Sequence, residues 1–394
     1  MRLTARVPVH TSAPCQARGF ELMRLRVWAL LLALGLAAAP LPPGTTTSAA
    51  APAAPDIDVV RANEQTRAFL KAQMTERRIP ALQVAVVVEG RVVMSEAYGV
   101  ANIEQQIAAT RQTLFPINSA TKSFTGVAIM QLVEAGQVDL EAPISRYLDG
   151  LPESWRAIRV RQLLAHTSGL PNIVDENGLV GGGSEAEAWA KVQTLPMDAA
   201  PGSGFAYNQT NYVLLARIIQ KASGQPFDQF FAERQFKPAS MTRARFGDGY
   251  DIVPGRVSVY IRQRAGRLDG VYHWIDDIPP STRAGAGLYT TADELAQWII
   301  ALEDGRLLAK KASLERLWRA DTLNDGKPNI WAMGWPILGG TSRRAVGGIG
   351  GGRSAFFVYP DDDVAVIVMT NMVGANPQNM IDTIASYYIT PARR

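Results

Sequence analysis

Apolar positions along this chain change their period several times, and each change marks an element. Residues 56–78 place Val60, Phe69 and Met74 at helical spacing, which predicts a first helix. Residues 81–89 alternate and then run into three valines, Glu89-Gly90 reads as a turn, and residues 91–98 read as a second strand, so a hairpin follows. Phe124, Val127, Ala128, Met130, Leu132 and Val133 predict a buried helix that Gly136 closes. Residues 160–165 predict a short helix running into His166-Thr-Ser-Gly-Leu170, and the glycines at 181–183 predict a loop. Residues 205–212 lead into an apolar helix over 213–222, ended by Gly224. Thr291-Ala-Asp-Glu294 is a capping-box pattern ahead of a helix through Trp298, Ile299 and Leu302. Residues 331–337 read as a strand. Residues 353–359 and 364–370 read as a second hairpin around Pro360-Asp-Asp-Asp363, and residues 377–388 as a last helix.

Hairpins near both ends with helices between them predict an α+β fold. Its antiparallel sheet is built from both chain ends and flanked by terminal helices, with a mostly helical lobe inserted. No linker divides residues 51–394, which read as a single domain of two lobes.

The first 50 residues follow another pattern. Arg2, Arg6, Arg18, Arg24 and Arg26 precede an apolar run over 27–39 and then a stretch rich in Pro, Gly, Thr, Ser and Ala. This is the pattern of a secretory signal peptide and leader, with Met1 or Met23 as the start and cleavage near Ser48-Ala-Ala50. An uncleaved anchor is the alternative. The apolar run is shorter than the about 20 residues that span a bilayer. The leader holds five Arg against one Glu, which accounts for the whole formal charge of +4. The high isoelectric point is thus an export feature and points away from nucleic acid. Cys15, the one cysteine, also lies there, so the mature chain has no disulfide, thiolate site or cysteine nucleophile. A secreted, periplasmic protein is expected, meeting a membrane only during export or through an uncleaved leader.

Ser119-Ala-Thr-Lys122 carries the candidate chemistry. Residues three apart on a helix share a face, so Lys122 would sit beside the Ser119 hydroxyl. A serine needs a base to become a nucleophile. A desolvated lysine can serve, because burial disfavours its charged form. Pro116 cannot lie inside a helix, and Asn118 or Ser119 suits the N-cap.

The segments around this tetrapeptide resemble the serine hydrolases of the β-lactamase and penicillin-binding-protein fold. The nearest branch is the class C-like one, with D-Ala-D-Ala carboxypeptidases and family VIII-type esterases. The carriers are Phe115-Pro-Ile-Asn-Ser-Ala-Thr-Lys122, Val138-Asp-Leu-Glu-Ala-Pro143, Val160-Arg-Gln-Leu-Leu-Ala-His-Thr-Ser-Gly-Leu170, Phe205-Ala-Tyr-Asn-Gln-Thr-Asn-Tyr212, Ala286-Gly-Leu-Tyr-Thr-Thr291 and Met333-Gly-Trp335. The resemblance implies an acyl-enzyme on Ser119, with Lys122 as base and Tyr207 relaying protons. It implies an oxyanion hole from the Ser119 N–H and a strand N–H near Gly347 and Gly348. It implies no cofactor, and a small-molecule ester or amide, or a peptide, as substrate.

Two departures bear on the substrate. Gln209 stands where the family's tyrosine motif ends in Asn; it is either a binder of a substrate amide or a loop residue. Counting back from Tyr359-Pro360 places Ala345 where the family's strand carries Lys or His, so this cation is missing, with Arg344 and Arg353 as candidates to replace it. An esterase or D-amino-acid peptidase therefore fits better than a true β-lactamase. A catalytically silent envelope-binding protein of the same fold is the alternative. A Ser-His-Asp triad is disfavoured: no G-x-S-x-G elbow exists, His166 reads as a buried or capping residue and His273 as loop. Two distant histidines and no Cys cluster leave little for a metal.

Overall fold

The computed structural model describes residues 58–176, 178–262, 270–338 and 343–389. The leader, with Cys15, lies outside them. The first helix, α1, is Val59–Glu76, and the Asp58 side chain caps it by accepting from the Arg61 N–H at 3.0 Å. Strands β1 (Ala81–Val88) and β2 (Arg91–Asn102) form the expected hairpin, and β3 (Ile107–Ala108) extends it. From the other end come β4 (Ile337–Leu338), β5 (Ala345–Gly350), β6 (Ser354–Tyr359) and β7 (Val364–Thr370). The seven strands form one antiparallel sheet in the order β4-β5-β6-β7-β1-β2-β3. The first and last strand groups of the described residues meet where β7 lies on β1, with Leu82 opposite Thr370 and Val88 opposite Val364.

Both faces of β1 and β7 are buried, which their near-continuous apolar runs require. Alternate residues sort into two cores. Leu82, Val84, Val366 and Val368 pack with Leu70 of α1 and with Met380, Ile381 and Ile384 of the last helix, Gln378–Tyr388. Ala85, Val87, Ile367 and Met369 face the other core. It contains Phe124 and Val127 of α2 (Thr121–Glu134), Ile218 of α3 (Gln209–Ser223), and Leu295 and Trp298 of α4 (Ala292–Glu303). Residues between β3 and β4 supply the inserted helices. α2 is buried almost all round, so its polar groups must find internal partners.

Three local expectations change. Residues 331–337 are not a continuous strand: Gly334 turns the chain back at φ 89°, Trp331 and Pro336 form an isolated bridge, and only Ile337–Leu338 joins the sheet. A Cβ on Gly334 would lie 2.6 Å from the Lys122 carbonyl oxygen, so close packing on α2 dictates the turn. The helix expected from 213 begins at Gln209, because Asn208 caps it by accepting from the Asn211 N–H at 3.3 Å. Thr291 caps α4 as expected, while the Glu294 carboxylate bonds the Thr290 hydroxyl at 2.9 Å and the Arg243 N–H at 2.5 Å. Among the described residues no helix is long and apolar enough to cross a membrane.

Candidate active site

Ser119 lies on the single 3₁₀ turn Asn118–Ala120, which runs straight into α2. Neither Asn118 nor Ser119 caps that helix through its side chain, contrary to the sequence expectation. Asn118 takes a left-handed conformation, φ 44°, and its side chain is engaged elsewhere. The turn is held from behind by the glycines of β5. A Cβ on Gly350 would fall 1.8 Å from the Ile117 carbonyl oxygen, and one on Gly348 would fall 2.4 Å from the Phe356 ring and 3.0 Å from the Ala120 Cβ. Side chains at both positions are therefore excluded, and Ser119 sits against bare strand backbone.

The Lys122 side chain is 1% exposed. Its amine donates to the Gly285 carbonyl at 2.9 Å and to Gln209 Oε1 at 3.1 Å. The direct bond to Ser119 suggested by the one-helix-face reasoning is replaced by a path through Tyr207. Tyr207 Oη donates to Ser119 Oγ at 2.8 Å, and the Lys122 amine lies over the Tyr207 ring, 4.6 Å from its centre. Burial holds the Lys122 pKa below the ordinary lysine range, while Tyr207 acts in the opposite sense. In its neutral form the amine has two N–H groups, and Gly285 and Gln209 accept both, which frees its lone pair to take a proton.

Tyr207, 41% exposed, stands at the mouth of the site. His166 lies behind it, with ring centres 4.5 Å apart, and Trp331 closes the other side at 5.8 Å. His166 is buried, as expected. Its Nδ1 accepts from the Asn208 N–H and faces the Asn211 amide, both at 3.1 Å. Burial first, and the Lys122 charge second, hold its pKa well below the ordinary histidine value. It is a neutral packing and capping group. His273 is exposed and pairs with Glu104, away from these groups.

Gln209 opens α3, its N–H donating to Asn172 Oδ1 at 2.9 Å. Its side-chain oxygen is committed to Lys122, and the residue also borders a largely apolar cavity of about 160 Å³ whose walls include Val174, Leu179, Asp277, Ile278, Pro279 and Ala286. The cation count along β5 is corrected by the pleat. Ala345 faces the core under the terminal helices, and the strand position over the Ser119 turn is Gly348. Neither Arg candidate supplies a cation at that strand position. Arg344 lies 3.7 Å from Asp361 on the hairpin turn, and Arg353 is buried beneath Asn118. Gly347 contributes backbone only, its carbonyl accepting from the Ser123 hydroxyl at 3.4 Å.

Sequence reasoning missed Gly285 and Asn172, which orient Lys122 and Gln209, and Asp276, the partner of Arg353. Each acts across a long sequence separation and leaves no periodic signal. Among the described residues no group of three or more His, Cys, Asp or Glu could hold a metal.

Residues 66–387 match the family model described as Beta-lactamase. The penicillin-binding-protein-like PbpX of Bacillus subtilis (strain 168) is 29% identical over 260 residues, which is 65% of this chain and 62% of PbpX. The chain thus spans less than two thirds of that relative. Among solved structures, the octameric penicillin-binding protein homologue from Pyrococcus abyssi superposes with a TM-score of 0.69 at 25% identity, covering 82% of this chain and 77% of the homologue. EstCE1, a hydrolase with promiscuous acyltransferase activity, superposes with a TM-score of 0.70 at 19% identity, covering 84% and 99%. At that identity EstCE1 speaks for the fold alone.

Proposed function

The chain belongs to the Beta-lactamase family, and from that premise we propose that it is a serine hydrolase acting through an acyl-enzyme on an ester or amide. The observation that carries this reading is the 2.8 Å bond between Tyr207 Oη and Ser119 Oγ, with the desolvated Lys122 amine 4.6 Å from the Tyr207 ring centre. For attack the hydroxyls exchange roles. Ser119 Oγ bonds to the substrate carbonyl carbon as its proton passes to Tyr207 and the Tyr207 proton passes to the neutral Lys122 amine. The oxyanion is received by the Ser119 N–H and a strand N–H near Gly348. Collapse expels the alcohol or amine, which takes a proton back along the same path. Water then attacks the acyl-enzyme by the same relay.

Two features favour an ester or uncharged amide over a β-lactam. The strand position over Ser119 is a glycine, so that strand offers no side-chain cation to a substrate carboxylate. The cavity beside Gln209 is lined by Val174, Leu179, Ile278, Pro279 and Ala286, with Asp277 and Thr282 also on its wall, and suits a small acyl or leaving group that carries no negative charge. The basic and apolar leader supports export to the periplasm; a mature protein found only in the cytoplasmic fraction would remove that part. A fluorophosphonate probe tests the chemistry. Wild type should label at one site and Ser119→Ala should not. A wild type that neither labels nor hydrolyses short p-nitrophenyl esters favours the silent binding protein instead.

A further inference from the structure

Directly before Ser119, Asn118 holds φ at 44°, a region that non-glycine residues visit at a cost, although Asn less than most. Something must keep it there, because a relaxed Asn118 would swing the Ser119 side chain off its line to Tyr207. Two contacts are available. Gly350 backs the Ile117 carbonyl, which fixes the chain before the strained residue. Arg353 Nη2 donates to Asn118 Oδ1 at 2.8 Å, which fixes the strained residue itself.

Arg353 is delivered to this place by an unusual turn. Gly351 and Gly352 take φ of 56° and 62° in succession, and the Arg353 carbonyl is then held by the Thr370 N–H at 2.7 Å and the Thr370 hydroxyl at 3.0 Å. The side chain is 2% exposed. A guanidinium so deeply buried needs a negative partner. That partner is Asp276, both of whose oxygens lie 2.8 Å from Nη2. Nε and Nη1 have no partner among the described residues. The Asn118 and Asp276 bonds therefore both fall on a single nitrogen, and losing either leaves the cation poorly held.

Asp276 lies in residues 271–279, a segment that exposes Trp274 and Ile275. Trp274 Nε1 donates to Asp276 Oδ1 at 2.8 Å. The same segment supplies Ile278 and Pro279 to the largely apolar cavity beside Gln209. A surface segment that borders the cavity is thus tied, through one buried ion pair, to the residue preceding the nucleophile.

We infer that Arg353 and Asp276 are positioning residues for Ser119, holding Asn118 in its left-handed conformation and making acylation depend on the seating of residues 271–279. The inference rests on Ser119 being the nucleophile. It also gives Arg353 a role different from the one suggested by its place after the glycines. Its charge meets Asp276 and Asn118, so it shapes the nucleophile and does not bind a substrate carboxylate.

Asp276→Asn keeps the shape and an acceptor while removing the charge. It should slow fluorophosphonate labelling and lower kcat on p-nitrophenyl butyrate by roughly 10- to 100-fold, the scale expected of a displaced reacting group. KM should stay within about twofold, since no substrate contact is removed. Arg353→Lys should recover part of the rate in the otherwise wild-type chain relative to Arg353→Met, because its ammonium can still meet Asp276. Trp274→Phe, a change at an exposed residue that leaves the ion pair in place, should lower kcat in the same direction but less, and it keeps the test open if Asp276→Asn does not fold. Labelling and kcat at wild-type values in Asp276→Asn or, where that variant is unfolded, in Trp274→Phe would overturn the positioning role while leaving the hydrolase reading intact. A raised KM with unchanged kcat would overturn it too, in favour of substrate contact. A wild type that does not label at Ser119 would overturn both.

Discussion

Lys122 is a lysine almost without water, and that single fact sets its chemistry. Burial holds its pKa below 10.5, so the neutral form becomes accessible at lower pH than for a free lysine. Its two bonds, to Gly285 and Gln209, then fix the amine without protonating it. If Lys122 is the terminal base, kcat/KM should fall as pH drops through its folded pKa and level off above it. Lys122→Arg retains the N–H donors, but a guanidinium stays charged over the whole accessible range and takes no proton. The variant should lose at least about 10²-fold in kcat/KM. A pH–rate series on a short p-nitrophenyl ester, wild type against variant, measures this; an arginine variant at wild-type rate would sink the base assignment. Ser119, Lys122 and Tyr207 were legible because each stands in a short motif of chemically distinctive residues. That Tyr207, and not Lys122, bonds to Ser119 was not, because it depends on a contact between residues 88 apart in sequence.

Among the elements, the short helix Arg283–Ala286 does more than connect. It turns the Gly285 carbonyl toward Lys122, and a Cβ on Gly285 would lie 2.6 Å from Gln209 Oε1 and 3.3 Å from Lys122 Nζ. Gly285 lacks the positive φ that would require glycine, so the constraint is one of space. Gly285→Ala should therefore separate activity from stability. Overpacking costs about 1–3 kcal/mol, offset in part by the roughly 1 kcal/mol preference for Ala over Gly in a helix. The fold should survive with a modestly changed Tm, while kcat falls by more than about tenfold as Lys122 and Gln209 are pushed apart. Thermal unfolding beside steady-state rates decides it, and an active variant with an unchanged rate would show that the amine tolerates displacement. Elements of this length carry no usable period, which explains why residues 283–286 were invisible while α2, α4 and the end hairpins were read correctly. Residues 331–337 failed for the opposite reason. Their composition suits a strand, but the close approach of Gly334 to α2, a tertiary demand, bends them.

Across the described residues, one sheet joins strands from early and late in the sequence and separates two cores, and the site sits where the inserted helices meet that sheet. Seating a polar relay there requires polar side chains deep inside the protein. His166 is the clearest case, fully buried and packed between Tyr207, Tyr212 and Trp331. Its folded pKa lies well below 6.5, whereas in the unfolded chain it titrates near the ordinary value. Below pH 6.5 the unfolded state therefore takes up a proton that the folded state refuses, and the contribution of His166 to stability is lost as pH falls. The slope from one such group approaches about 1.4 kcal/mol per pH unit until the folded pKa is reached. His166→Asn keeps an acceptor near the Asn208 N–H and tolerates the left-handed φ of 55° at this position. It should be less stable at neutral pH through lost ring packing, yet its stability should decline less steeply from pH 6.5 downward than that of wild type. Denaturant unfolding at a series of pH values compares the two slopes. Parallel slopes would mean that His166 can be protonated inside the fold, and that the pocket behind Tyr207 admits water and charge.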